Sequence, residues 1–125
     1  MNKVILNGNL VRDMEVRQTK NGTDVGEFTI ANNIGYGEDQ KTTFVKCTLF
    51  GKRVESMEQY LIKGCKVLLD GTLEINNYQD DEDNWKTYVN VIVGDLEIIK
   101  FVEDVEEDEK PKKSSKTNAK NKKKK

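Results

Sequence analysis

The stretch TTFVKCTLFGK, Thr42 to Lys52, constrains the fold more than any other part of the chain. Successive side chains of a strand point to opposite faces. Val45, Cys47 and Leu49 then form one set, suited to a core, and Phe44, Lys46, Thr48 and Phe50 form the other. The second set carries two aromatic rings with a cation between them. Lys46 argues against a strand buried on both sides, because an unpaired charge is costly to bury. The expectation is a strand with an apolar inner face and two Phe rings on its outer one.

The rest of the chain is built of similar short runs. Val4–Leu6 leads through Asn7-Gly8-Asn9 to Leu10, and a polar stretch follows. Asn21-Gly22 reads as a hairpin turn. From Val25 to Ala31, Phe28 and Ile30 fall on one side and Glu27 and Thr29 on the other. Residues 33–41 are polar, with Gly35 and Gly37, and predict a loop. Val54, Met57 and Leu61 recur at helical spacing, which predicts a short helix from Lys52 to Leu61, stopped near Gly64. Residues 66–78 predict a long strand in which Gly71 marks a bulge or bend. Residues 79–86 read as a hairpin loop, and 87–102 as a last strand interrupted at Gly94-Asp95.

About five β segments with one helix between the third and fourth describe an all-β protein. The arrangement fits an OB-fold, a five-stranded Greek-key barrel. Pattern alone also leaves an SH3-like barrel or a small sandwich open.

Charge divides the 125 residues in two. Residues 1–102 hold 12 Lys plus Arg against 16 Asp plus Glu, and 103–125 hold 9 against 6. The second region starts acidic, EDVEEDE, and ends Lys-rich, KNKKKK, with almost nothing apolar. It cannot bury enough surface to offset its ordering entropy. The expectation is a folded domain over 1–102 and a disordered tail over 103–125. No apolar run approaches the ~20 residues that span a bilayer. Cys47 and Cys65 sit in apolar settings and read as free thiols of a cytoplasmic protein.

Several function classes lack their residues. The chain has no His, so a His-dependent triad is impossible within it, and two Cys in unrelated elements make zinc ligation a poor fit. No P-loop is present. A non-enzymatic binder with no metal or cofactor is expected. Rings interleaved with cations suit single-stranded nucleic acid: bases stack on the rings and cations neutralise phosphates. The candidate rings are Tyr36, Phe44, Phe50, Tyr78 and Trp85, the last in a polar loop. Candidate cations include Lys46, Lys52, Lys63 and Arg17. Stacking does not read base identity, so binding should tolerate any sequence.

These motifs, in this order, resemble the bacterial-type single-stranded DNA-binding protein (SSB) family. The opening MNKVILNGNLVRDMEVRQTKNGTDVGEFTIANN, the central TTFVKCTLFGKRVESMEQYLIKGCKVLLDGTLEINNY and the closing YVNVIVGDLEII carry the likeness, which covers about residues 1–100. The resemblance implies an OB-fold, a homotetramer, and coating of single-stranded DNA in replication, recombination and repair. It assigns stacking to Tyr36, Phe44, Phe50 and Tyr78, and phosphate contacts to Lys46, Lys52, Lys63 and Arg17.

The departures are specific. Family members often carry Trp where this chain has Tyr36, Phe44 and Tyr78. Glu74 replaces an often basic stretch, and Asp80, Asp81, Glu82 and Asp83 make the following loop acidic. The family's acidic tip with a terminal Phe is absent, so recruitment through that tip is not assumed, and replication or recombination proteins stay open as partners. Such departures suit a phage, plasmid or mobile-element member, and the Lys-rich end suits an auxiliary grip on DNA. The alternative reading is an OB-fold adaptor of a primosome or recombination complex that touches DNA secondarily. A cold-shock-like RNA binder is a third.

Overall fold

The computed structural model describes residues 1–102; the expected boundary at 102 and the expected disorder and DNA grip of 103–125 lie outside the described residues. The elements run β1 (Val4–Leu10), β2 (Glu15–Gln18), β3 (Asp24–Ile34), β4 (Lys41–Phe50), α1 (Lys52–Met57), β5 (Lys66–Gln79) and β6 (Trp85–Lys100). They form one sheet in the order β1-β5-β6-β4-β3-β2, and a further β1–β3 pairing closes it into a ring. Five strands make that ring, as expected, and β2 is a sixth, short strand on the edge of β3. The polar stretch after Leu10 therefore hides a strand. All four of its residues are exposed, so it has no buried face to print an alternation on the sequence.

Two short seams complete the barrel. Strands β1 and β3 pair only at Asn9–Ala31 and Leu10–Ile30. Strands β4 and β6 run parallel and pair at Cys47–Val91 and Thr48–Ile92. Gly8 lies beside the first seam, where an added Cβ would stand 2.7 Å from the Ala31 carbonyl oxygen. Gly71 sits at a register shift between β5 and β6, where a Cβ would lie 2.2 Å from the Ile92 oxygen. Between Leu69–Leu96 and Gly71–Val93 the single residue Asp70 of β5 faces Gly94 and Asp95 of β6, so the bulge lies on β6 at the expected interruption, and Gly71 pairs beside it where only a bare backbone fits. Strand β6 passes through Gly94-Asp95 without ending, and the Asp70 carboxylate accepts the Asp95 N–H at 3.0 Å.

The inward sets fill the barrel: Leu10, Phe28, Ile30, Cys47, Leu49, Val67, Leu69, Val91 and Val93 are all buried. The end beneath β3 and β4 is plugged by Val54 of α1 and by Leu61 just after it. The α-helix is shorter than its apolar spacing predicts, ending at Met57, because 58–60 continue as turns that still deliver Leu61 to the core. Tyr60 packs edge-on against Phe101, ring centroids 5.4 Å apart. Truncating a wholly buried residue such as Leu49 to Ala would cost about 2–5 kcal/mol. No helix among the described residues is long and apolar enough to cross a membrane.

Candidate nucleic-acid interface

Strand β4 has the two faces its alternation predicts, with one exception. Cys47 and Leu49 are buried and Val45 half-buried, while Phe44, Lys46 and Phe50 are exposed. Thr48 belongs to the outward set by parity but is buried. It lies at the β4–β6 seam, where its hydroxyl donates to Asn90 Oδ1 at 3.0 Å. A parallel pairing with a strand more than 40 residues away covers a position that local alternation assigns to solvent.

Register extends this outward face. Direct partners in an antiparallel pair share a face. Phe44, Lys46, Thr48 and Phe50 are paired with Ala31, Thr29, Glu27 and Val25 of β3. Arg17 of β2 pairs with Val25 and so joins the same side. Across the seam, the Lys46 ammonium lies 5.1 Å from the centroid of the Tyr88 ring, a cation–π contact. Tyr88 pairs with Asn76, and Lys86 with Tyr78, which carries the face up the β5–β6 hairpin. One outward surface therefore holds Phe50, Lys46, Phe44, Tyr88 and Tyr78.

The rings are open to solvent: Tyr36 is 93% exposed, Phe44 66%, Phe50 43% and Tyr78 51%. Tyr36 stands on the loop between β3 and β4, before a single 3-10 turn at Gly37–Asp39. Trp85, 71% exposed, is not in the loop that the polar sequence predicts but is the first residue of β6. It pairs with Gln79, one register step from Tyr78–Lys86, and so projects from the other side of the hairpin. There it follows Val89 and Ile75, both exposed. The structure does not bring Trp85 onto the surface of Phe44 and Tyr78.

The cations separate as well. Lys52 opens α1 two residues after Phe50 and is exposed, with no carboxylate within 4 Å among the described residues. Lys46 and Arg17 share one acid, Glu27: Arg17 Nε lies 3.5 Å from Oε1 and Lys46 Nζ 3.9 Å from Oε2. Lys63 stands apart in a groove with Asn9, Lys66 and Lys100. Its backbone N–H donates to Asp13 Oδ1 at 2.8 Å, and Asp13 lines the cleft that holds Glu27 and Lys46. Sequence reasoning missed Tyr88 and Glu27 as members of this surface. Tyr88 was within reach of parity, since it alternates with Val89 and Val91 as Phe44 does with Val45. Both cysteines are free and buried. Burial pushes the Cys47 thiol up to about 12, and also raises Cys65, so neither offers a thiolate near neutral pH.

A curved barrel with rings and cations open on one side is the geometry of an OB-fold that holds nucleic acid. Comparison with known proteins agrees: residues 1–99 match the profile of the single-strand binding protein family, and the chain belongs to that family. It is 35% identical over 106 residues to a single-stranded DNA-binding protein of Bacillus cereus, covering 82% of this chain and 61% of that one. It is 34% identical over 106 residues to single-stranded DNA-binding protein 2 of Staphylococcus aureus, covering 82% and 73%. The chain thus spans about three-fifths of the length of the Bacillus relatives it matches. Among solved structures, an SSB of Plasmodium falciparum in complex with single-stranded DNA shares the fold, with a TM-score of 0.74 at 22% identity. That match covers 80% of this chain and 96% of the other.

Proposed function

We propose that this chain binds single-stranded DNA without reading its sequence and coats it during replication, recombination and repair. The observation that carries the reading is the run of Phe44, Lys46 and Phe50 along one outward strand face, continued by Tyr78 on the hairpin. Bases stack on the rings, and each stacked base is worth about 1–3 kcal/mol. Lys46, Lys52 and Arg17 meet phosphates, a term that weakens as salt rises. Tyr36 adds an exposed ring from the loop before β4, whereas Lys63 and Trp85 lie on other surfaces and add little to the grip. The role is non-enzymatic and cytoplasmic.

The chain acts as a homotetramer. Supporting this, β1 pairs with β5 along one edge but with β3 only at Asn9 and Leu10, so on its β3 side Val4–Gly8 has no strand partner among the described residues. Ile5 and Leu68 of β1 and β5 add an exposed apolar surface next to that edge. Unpaired strand edges are ready templates for a second chain.

Anisotropy of labelled oligo(dT), with duplex and RNA competitors, tests the reading. Tight, stoichiometric binding that ignores sequence and prefers DNA supports it. Binding that appears only with a protein partner, or that prefers RNA, sinks it. Sedimentation of the protein alone and with oligo(dT) of graded length tests the tetramer, and a concentration-independent monomer removes it.

A further inference from the structure

Glu27 occupies the middle of the surface that meets DNA in the reading above, and it uses both carboxylate oxygens. Arg17 takes Oε1 and Lys46 takes Oε2, from β2 on one side and β4 on the other. The separations of 3.5 and 3.9 Å exceed the ~2.8 Å of a tight charge-assisted hydrogen bond. The acid is the more enclosed partner: its side chain is 25% exposed, against 59% for Arg17 and 43% for Lys46. The carboxylate is therefore fixed on the strand, and the long cations reach from it into solvent. Lys46 is also drawn to the Tyr88 ring.

We propose that Glu27 is a built-in competitor of phosphate, which holds Arg17 and Lys46 until DNA displaces it and so sets the affinity and salt dependence of binding. The inference rests on the single-stranded DNA reading. A cation already neutralised by a carboxylate releases less counterion when a phosphate arrives. Glu27 is thus a positioning residue that acts through two cations. It keeps the protein from gripping DNA as tightly as its rings and bases would allow, which favours release and movement along the strand.

Glu27→Gln keeps the shape and removes the charge. Exposed ion pairs are weak, so freeing two of them predicts about fivefold tighter binding to oligo(dT) at low salt. The log–log salt slope should steepen by about 0.7 for each phosphate contact regained on a single strand. Glu27→Thr, which suits a strand, should behave the same way, and melting curves check that both variants fold. In an Arg17→Gln/Lys46→Gln background the gain from Glu27→Gln should fall below about twofold. Glu15→Gln is the control. Glu15 is the direct partner of Glu27 across β2–β3 and lines the same cleft, without an ion pair among the described residues. It should leave the slope unchanged.

Unchanged or weaker binding by both Glu27 variants overturns the inference. So does a gain that survives loss of both cations, or one that Glu15→Gln reproduces, since either makes the effect mere local charge. Wild-type protein that fails to bind oligo(dT) removes the DNA reading itself, and that result needs no variant.

Discussion

Strand β4 and the far half of the β5–β6 hairpin both bring rings to the outward surface, but they surround them with opposite charge. On β4, Phe44 and Phe50 flank Lys46, and Lys52 follows within two residues. On the hairpin, Tyr78 stands between Glu74 and the acids Asp80, Asp81, Glu82 and Asp83, and its neighbour Lys86 pairs with Asp80 at 4.0 Å. The first region offers stacking and phosphate neutralisation together. The second offers stacking against a repulsive field. Affinity should therefore concentrate on β4, with the hairpin acting more as a guide than as a grip.

The largest test of that contrast is a Phe44→Ala/Phe50→Ala variant. Both rings are exposed, so the fold should survive with little change in melting temperature. Loss of two stacking platforms predicts at least about a 30-fold drop in affinity for oligo(dT). A folded variant that binds within threefold of wild type would remove stacking on β4 as the main source of affinity.

Next comes the hairpin, where the two faces make separate predictions. Tyr78→Ala removes one ring from the shared surface and should weaken binding about tenfold. Trp85→Ala removes a larger ring from the opposite side and should cost less than about twofold by the same measure. Equal losses would mean that DNA wraps the ribbon and uses both of its faces.

What the sequence made legible follows from how local each signal is. The ring face of β4 was readable because its alternation is complete within seven residues, 44 to 50. The helix, the break at Gly94-Asp95 and the Asn21-Gly22 turn are readable for the same reason. The burial of Thr48 was not, since it depends on where β6 crosses β4, more than 40 residues away. Nor was the Arg17–Glu27–Lys46 cluster, which three strands assemble. The polarity of residues 79–86 predicts a loop around Trp85, which instead opens β6. The strand pairing there is set by a tight turn that the composition conceals.

A smaller effect should come from the hairpin's charge. Asp81→Asn/Glu82→Gln leaves the Asp80 side chain in place, whose Oδ1 accepts N–H groups from Glu82 and Asn84 at 2.9 Å. Removing two exposed acids should tighten binding about two- to threefold at low salt, and the gain should vanish near 1 M, where the Debye length is about 3 Å. A gain that persists at high salt would mean that these residues touch DNA directly instead of repelling it.

The smallest effect expected concerns the turn itself, and it compares two loops of one geometry. In the β2–β3 turn, Thr19 N–H donates to the Thr23 carbonyl at 2.9 Å, Gly22 N–H donates to Thr19, and Gly22 has φ of +83°. In the β5–β6 turn, Asp80 N–H donates to Asn84 at 2.9 Å, Asp83 N–H donates to Asp80, and Asp83 takes φ of +65°. The first loop uses the residue that enters the left-handed region freely, whereas the second asks a side chain to do so. Asp83→Gly should then raise the melting temperature by about 2–4 °C, the shift that roughly 0.5 kcal/mol produces in a domain this size. Asp83→Asn removes the same charge while keeping a residue that tolerates this conformation, so it separates the two effects. It should reproduce any gain in DNA affinity without the thermal gain. If Asn matches or exceeds Gly in melting temperature, the hydrogen bonds that Asp80 makes across the loop already offset the strain, and the acidic turn is as well built as the glycine one.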